Sequence, residues 1–137
     1  MKELNGMDEA HKALSQHRYE QALRSLTSAN LLIQHGDFEG AANRTYYAVF
    51  HGMRSILALE EKDFSKHSAV ISYFRKEYIK TGIFPVDASV TIGDAFDIRS
   101  DSDYDDEYDI DEESIKALVH KVDTMLKLFK AYLDTKW

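Results

Sequence analysis

Apolar side chains recur along this chain at spacings of three and four, the period of an α-helix, and no segment alternates as a strand would. Tyr19, Ala22, Leu23, Leu26, Ala29 and Ile33 form one stripe and predict a helix from Asp8 to about Gln34. Gly36 and Asp37 stop it. Asp37 is placed to cap a second helix running to about Glu60, in which Tyr46, Phe50, Met53 and Leu57 face the core. Ser65 opens a third helix to about Thr81, with Val70, Ile71, Phe74 and Tyr78 inward, and the stretch TGIFP ends it with a glycine and the chain's single proline, Pro85. A fourth helix is expected from Val86 or Asp87 toward Tyr104. A fifth runs from about Asp111 to the C-terminus, with Ile115, Leu118, Val122, Met125, Phe129 and Tyr132 inward. Five amphipathic helices on short connections predict an all-α, up-and-down antiparallel helical bundle. With 137 residues and neither repeat nor linker, a single domain over residues 1–137 is expected.

Composition narrows the chemistry. The absence of cysteine excludes disulfides, thiolate zinc sites and a cysteine nucleophile. No apolar run reaches the roughly 18 residues that span a bilayer, so a soluble, cytoplasmic protein without membrane contact is expected. The net charge of −7 argues against an anionic ligand until its distribution is considered: nine of the 24 acids lie between Asp101 and Glu113, leaving 15 acids against 17 basic residues elsewhere. Outside that segment the chain is slightly basic.

The acidic segment places carboxylates at Asp101, Asp103, Asp105, Asp109 and Glu112, the spacing of an EF-hand calcium loop. Asp106 stands where that loop needs glycine, Tyr108 where it needs a small aliphatic residue, and no second loop follows. A solvated turn whose acids favour the N-terminus of the fifth helix is the simpler reading. Arg99 differs by its helical phase. Ile92, Phe96, Arg99 and Asp103 share one stripe, so the arginine follows two large apolar residues toward packing. An Arg99–Asp103 ion pair explains this structurally. The functional reading is a guanidinium oriented by Asp103 that offers its donors to a phosphate, with Tyr104 beside it as a stacking face.

The second helix carries a similar stripe. Arg44, Tyr47, His51 and Arg54 fall at i, i+3, i+7 and i+10, a basic and aromatic face suited to phosphate and base contacts, or equally to a dimer interface. His67, just inside the third helix, and His120, facing outward, are less informative. There is no HExxH, no histidine pair at i,i+4, no GxxxxGK[ST], GxGxxG or GxSxG. No metal site and no cofactor are expected.

Three segments together, AANRTYYAVFHGMRSILAL (41–59), KHSAVISYFRKEYIKTG (66–82) and AFDIRSDSDYDDEYDID (95–111), resemble the HEPN family of nucleotide-binding domains, in particular its small stand-alone prokaryotic branch. The resemblance runs from about Tyr19 to Tyr132. It implies a helical bundle that commonly dimerises and is often paired with a minimal nucleotidyltransferase in a toxin–antitoxin-like system. Many members are metal-independent ribonucleases whose signature is an arginine followed four to six residues later by a histidine. Arg99 matches the arginine, but the residues after it, SDSDYDD, contain no histidine; Asp103 and Tyr104 stand in its place.

That departure matters chemically. Metal-free cleavage of RNA needs a group to take the 2′-hydroxyl proton, and tyrosine, with a reference pKa of about 10, is a poor base at neutral pH. The expected function is therefore a nucleotide- or RNA-binding module, a homodimer working with a nucleotidyltransferase partner. Arg99 holds phosphate, Asp103 orients it, Tyr104 and Tyr47 offer stacking faces, and Arg44 and His51 widen the polar site. The alternatives are an RNA endonuclease toxin using Arg99 with His51 or His67, and a non-catalytic dimeric interaction protein.

Overall fold

The computed structural model describes residues 6–104 and 109–137, with the side chains of residues 6, 7 and 104 outside the description. The readings placed on Tyr104's ring and on Asp105, Asp106 and Tyr108 therefore lie outside the described residues. Five helices follow one another: α1 (Gly6–Gln34), α2 (Phe38–Leu57), α3 (His67–Phe74), α4 (Val86–Tyr104) and α5 (Glu112–Asp134), and no strand is present among the described residues. This is the expected all-α bundle.

Local chemistry sets the boundaries. Gly36 takes φ 78°, a left-handed conformation that glycine reaches without steric cost, and lets the Asp37 amide turn back to the Leu32 carbonyl at 2.9 Å. The Asp37 carboxylate then caps α2 by accepting from the Gly40 amide at 2.9 Å. Asp111 does the same for α5, accepting from the Ser114 amide at 2.8 Å and the Ser114 hydroxyl at 2.9 Å.

Several boundaries and faces depart from the sequence pattern. The α-helical part of α2 stops at Leu57, and residues 58–60 tighten into a 3₁₀ turn. The third helix starts at His67, not Ser65, and Lys66 occupies its N-cap without a capping side chain. Past Phe74 it widens into a π turn over Arg75–Ile79, in which the Lys80 amide reaches the Arg75 carbonyl at 2.8 Å. Leu23 was expected in the core stripe of α1 but is 43% exposed. Ala22 and Leu23 lie about 100° apart on the helix, and the packed face takes Ala22.

The buried residues of all five helices form one contiguous cluster. Its largest enclosed side chains include Tyr46, Phe74, Phe129, Met53 and Ile56. Gly52 lets α2 and α5 approach closely: a Cβ at that position would lie 2.7 Å from Leu126 Cδ2 and 3.2 Å from the Phe129 ring. Polar ties link the two ends of the chain. The Tyr19 hydroxyl donates to the Leu126 carbonyl at 2.8 Å, and the Trp137 indole donates to Ser15 Oγ at 3.0 Å. No helix among the described residues is long and apolar enough to cross a membrane.

Candidate functional site

The middle of α2, the first turn of α3 and the C-terminal half of α4 converge on one aromatic and cationic cluster. Helical phase aims Tyr46 and Phe50 inward from α2 and puts Arg99 on the stripe of α4 that begins with buried Ile92. The Arg99 guanidinium lies 4.9 Å from the centre of the Tyr46 ring and 5.7 Å from that of Tyr47, a cation–π arrangement on two rings. Its Nε sits 3.0 Å from Asp103 Oδ2, the expected i,i+4 ion pair. That Nε is buried, and its N–H is not aimed well enough at the carboxylate to make a hydrogen bond. The terminal guanidinium nitrogens donate to nothing among the described residues. Among the described residues Arg99 is thus held in place by two rings and one charge while its terminal nitrogens stay available.

His67 completes the cluster. Its Nδ1 shares a 2.9 Å hydrogen bond with the Tyr46 hydroxyl, and its ring packs on Phe50 with centroids 4.0 Å apart. Burial, then the charges of Arg99 and Arg54, draw its pKa below the ordinary histidine value, so the imidazole is neutral at physiological pH. Burial raises the Tyr46 hydroxyl against the opposing pull of Arg99. Phe96 adds an edge contact to Tyr46 with centroids 6.1 Å apart, yet it stays 38% exposed, more open than its place on the Ile92 stripe suggested.

The stripe on α2 also assembles, with a division of labour that sequence did not reveal. Arg44 lies over the Tyr47 ring at 5.1 Å and donates to Asn43 Oδ1 from Nε and Nη2, at 3.1 and 2.8 Å. Tyr47 and His51 are neighbours, with ring centroids 5.9 Å apart. Arg54 turns away to Asp63, which accepts from it at 2.6 and 3.2 Å and also pairs with Arg18 at 3.3 Å. Hydrogen bonds from Arg54 and the Phe64 amide outweigh the cost of burial and hold the Asp63 carboxyl below its usual range. His51 is pushed down to about 4 by burial and then by Arg54, Arg44, Arg18 and His17. Its Nδ1 is buried without a hydrogen-bond partner. Burial is the larger cause, and the surrounding cations add a positive local field.

Of the residues expected in the site, Tyr47 and Asp103 meet the Arg99 guanidinium, and Arg44 lies over the same Tyr47 ring. His51 sits beside Tyr47, and the ring of Tyr104 is outside the described side chains. Sequence reasoning missed Tyr46, assigned to the core, and reached His67 only in the alternative of a ribonuclease using Arg99 with His51 or His67. Their only sequence signal was that Tyr46, Phe50 and the KHS segment belong to the blocks carrying the family resemblance. At Asp101 and Asp103 α4 is still helical, so the described start of the acidic segment does not form a calcium loop. Among the described residues no group of three or more histidines and carboxylates is arranged to hold a metal ion.

The HEPN domain family matches residues 15–132. The chain belongs to the HEPN family. A relative from Methanocaldococcus jannaschii, named "Putative toxin MJ0142", is 33% identical over 117 residues, covering 85% of this chain and 80% of its own length. A "UPF0332 protein" of Thermotoga maritima is 29% identical over 128 residues, covering 93% of this chain and 96% of its own. A second M. jannaschii relative, "Putative toxin MJ0605", is 24% identical over 114 residues. The HEPN match spans every residue of the Tyr46–His67–Arg99 cluster.

Proposed function

We propose that this HEPN protein binds the phosphate of a nucleotide or RNA on Arg99, as the toxin-like member of a system shared with a nucleotidyltransferase partner. One observation carries the reading. The Arg99 guanidinium is clamped over Tyr46 and Tyr47, is paired with Asp103 at Nε, and has terminal nitrogens that make no hydrogen bond among the described residues. A guanidinium pre-oriented in this way loses little freedom on gripping a phosphate, and Arg44 and Tyr47 extend the surface for ribose or base. The names of the two M. jannaschii relatives support the toxin-like part. Exposed Ile83, Val86 and Val90, at the start of α4 and just before it, support the homodimer, because burying them against a second copy removes apolar surface from water.

A second reading is favoured by His67. Although no histidine stands four to six residues after Arg99 in sequence, the neutral imidazole of His67 shares the Tyr46 ring with it in space. In a metal-independent ribonuclease, His67 would take the proton of the 2′-hydroxyl as the 2′-oxygen attacks phosphorus. The bond from phosphorus to the 5′-oxygen then breaks, and that oxygen takes a proton from water. Arg99 would stabilise the charge on the phosphorane.

Incubation of a mixed-sequence RNA with the full chain in excess EDTA separates the readings when Arg99→Ala and His67→Ala are run alongside. Cleavage lost in both variants establishes the ribonuclease. Binding without cleavage, weakened tenfold or more by Arg99→Ala, establishes the binding module. Neither binding nor cleavage by the wild type overturns both and leaves a dimeric interaction protein.

A further inference from the structure

A cavity of about 390 Å³ opens between α3 and α4, lined by Ser68, Ser72 and Arg75 on one side and by Gly93, Phe96 and Asp97 on the other. It adjoins the phosphate site at two points. Phe96 packs on Tyr46, the ring under Arg99, and Ser68 follows His67 in the chain. Phe96 and Arg99 lie on one stripe of α4, about one helical turn apart, some 5 Å along its axis. The volume lies within the range of about 300–1,000 Å³ typical of small-ligand sites.

Three features distinguish this cavity. Arg75 is half-buried and has no carboxylate within ion-pair distance among the described residues. It donates from Nε to Ser89 Oγ and from Nη2 to the Ser89 carbonyl, both at 3.0 Å, and Nη1 donates to nothing among the described residues. A half-buried cation without a counter-charge is costly unless something else meets it. Gly93 stands in the interior of α4, where glycine costs about 1 kcal/mol against alanine. A Cβ there would lie 3.1 Å from Arg75 Nη2, so the glycine clears room for the guanidinium at the cavity wall. The π turn of the third helix begins at Arg75 itself, and such turns concentrate at functional sites. Phe96 meanwhile leaves part of its ring uncovered at the rim.

We propose that this cavity is a nucleobase subsite, in which the base stacks on Phe96 while the phosphate of the same nucleotide rests on Arg99. The inference rests on the phosphate-binding reading of Arg99 and adds where the base goes. The polar groups suit a ring with both donors and acceptors on its edges: Asp97 accepts, Arg75 donates, and Ser68 and Ser72 do either. Guanine offers two adjacent donors to a carboxylate and two acceptors to a guanidinium, which makes GMP the probe of choice.

Calorimetric titration of the full chain with GMP and, separately, with ribose 5-phosphate tests the assignment. Wild type is expected to bind GMP at least tenfold more tightly than ribose 5-phosphate. Ser72→Leu, which fills the cavity from α3, should weaken GMP about tenfold and leave ribose 5-phosphate unchanged, and Phe96→Ala, which removes the stacking face, should weaken GMP about tenfold more than it weakens ribose 5-phosphate. Arg99→Ala should weaken both. Helicity by circular dichroism shows that each variant folds, and two variants on different helices guard against one distorting the bundle. If Arg99→Ala weakens GMP while Phe96→Ala and Ser72→Leu do not, the subsite is overturned and the phosphate site stands. If neither ligand binds the wild type, the phosphate reading falls and takes the subsite with it.

Discussion

Tyr46 Oη and His67 Nδ1 meet at 2.9 Å across 21 residues of sequence, and the Arg99 guanidinium lies over the same tyrosine ring at 4.9 Å. One ring from α2 thus couples an imidazole from α3 to a cation from α4. Because burial and, after it, the Arg99 charge oppose the imidazolium, His67 is expected to titrate below 6.5 in the wild type and to move part of the way back up in Arg99→Ala. Following the His67 ring protons by NMR against pH checks this; an unchanged midpoint in the variant would separate the two groups.

Removing the hydroxyl alone has a smaller effect. Tyr46→Phe keeps the buried ring but leaves His67 without this partner, and should lower the unfolding free energy by about 1 kcal/mol in urea titrations.

His51 makes the fold sensitive to acid. Its pKa of about 4 lies below the unfolded value of 6.5, so between these pH values the unfolded chain binds more protons than the folded one. Stability therefore rises with pH through that window and is lost as pH falls through it. With solvent screening part of the ring, we expect a loss of about 1–2 kcal/mol between pH 7 and pH 4 from this residue. His51→Gln should flatten the dependence by that amount when denaturation midpoints are compared across pH.

Glu60 holds the 3₁₀ turn after α2 to the third helix. Tyr73 donates to its Oε1 at 2.7 Å and Tyr78 to its Oε2; the carboxylate raises the Tyr73 phenol to about 12, and burial, then the carboxylate, raises that of Tyr78. Glu60→Gln replaces two charge-assisted bonds with weaker ones and should cost about 1–2 kcal/mol of stability, with little change in helicity.

Gly52→Ala tests the closeness of α2 and α5. Leu126 and Phe129 are fully buried and must shift to admit the methyl group, so destabilisation of about 1–3 kcal/mol is expected in chemical denaturation despite alanine's higher helix propensity. A neutral or stabilising result would mean that the interface yields.

The sequence by itself determined the features that depend on near neighbours. The 3.6-residue period located five helices and most of their buried stripes, Asp37 and Gly36 marked the first turn, and Asp111 capped the last helix. The Arg99–Asp103 pair followed from i,i+4 spacing alone. Where the local pattern was ambiguous it misled: Leu23 sits one position from the packed face, and Ser65 stands two residues ahead of the third helix. Tertiary structure decided which side chains from different helices meet. The hydroxyl of Tyr46 finds His67, Asp63 gathers Arg18 and Arg54, and Arg75 packs against Gly93 at the cavity wall. Periodicity fixes the phase of each helix about its own axis. The rotation and offset of one helix against another come only from packing the whole core, and the cluster around Arg99 is built from those relations.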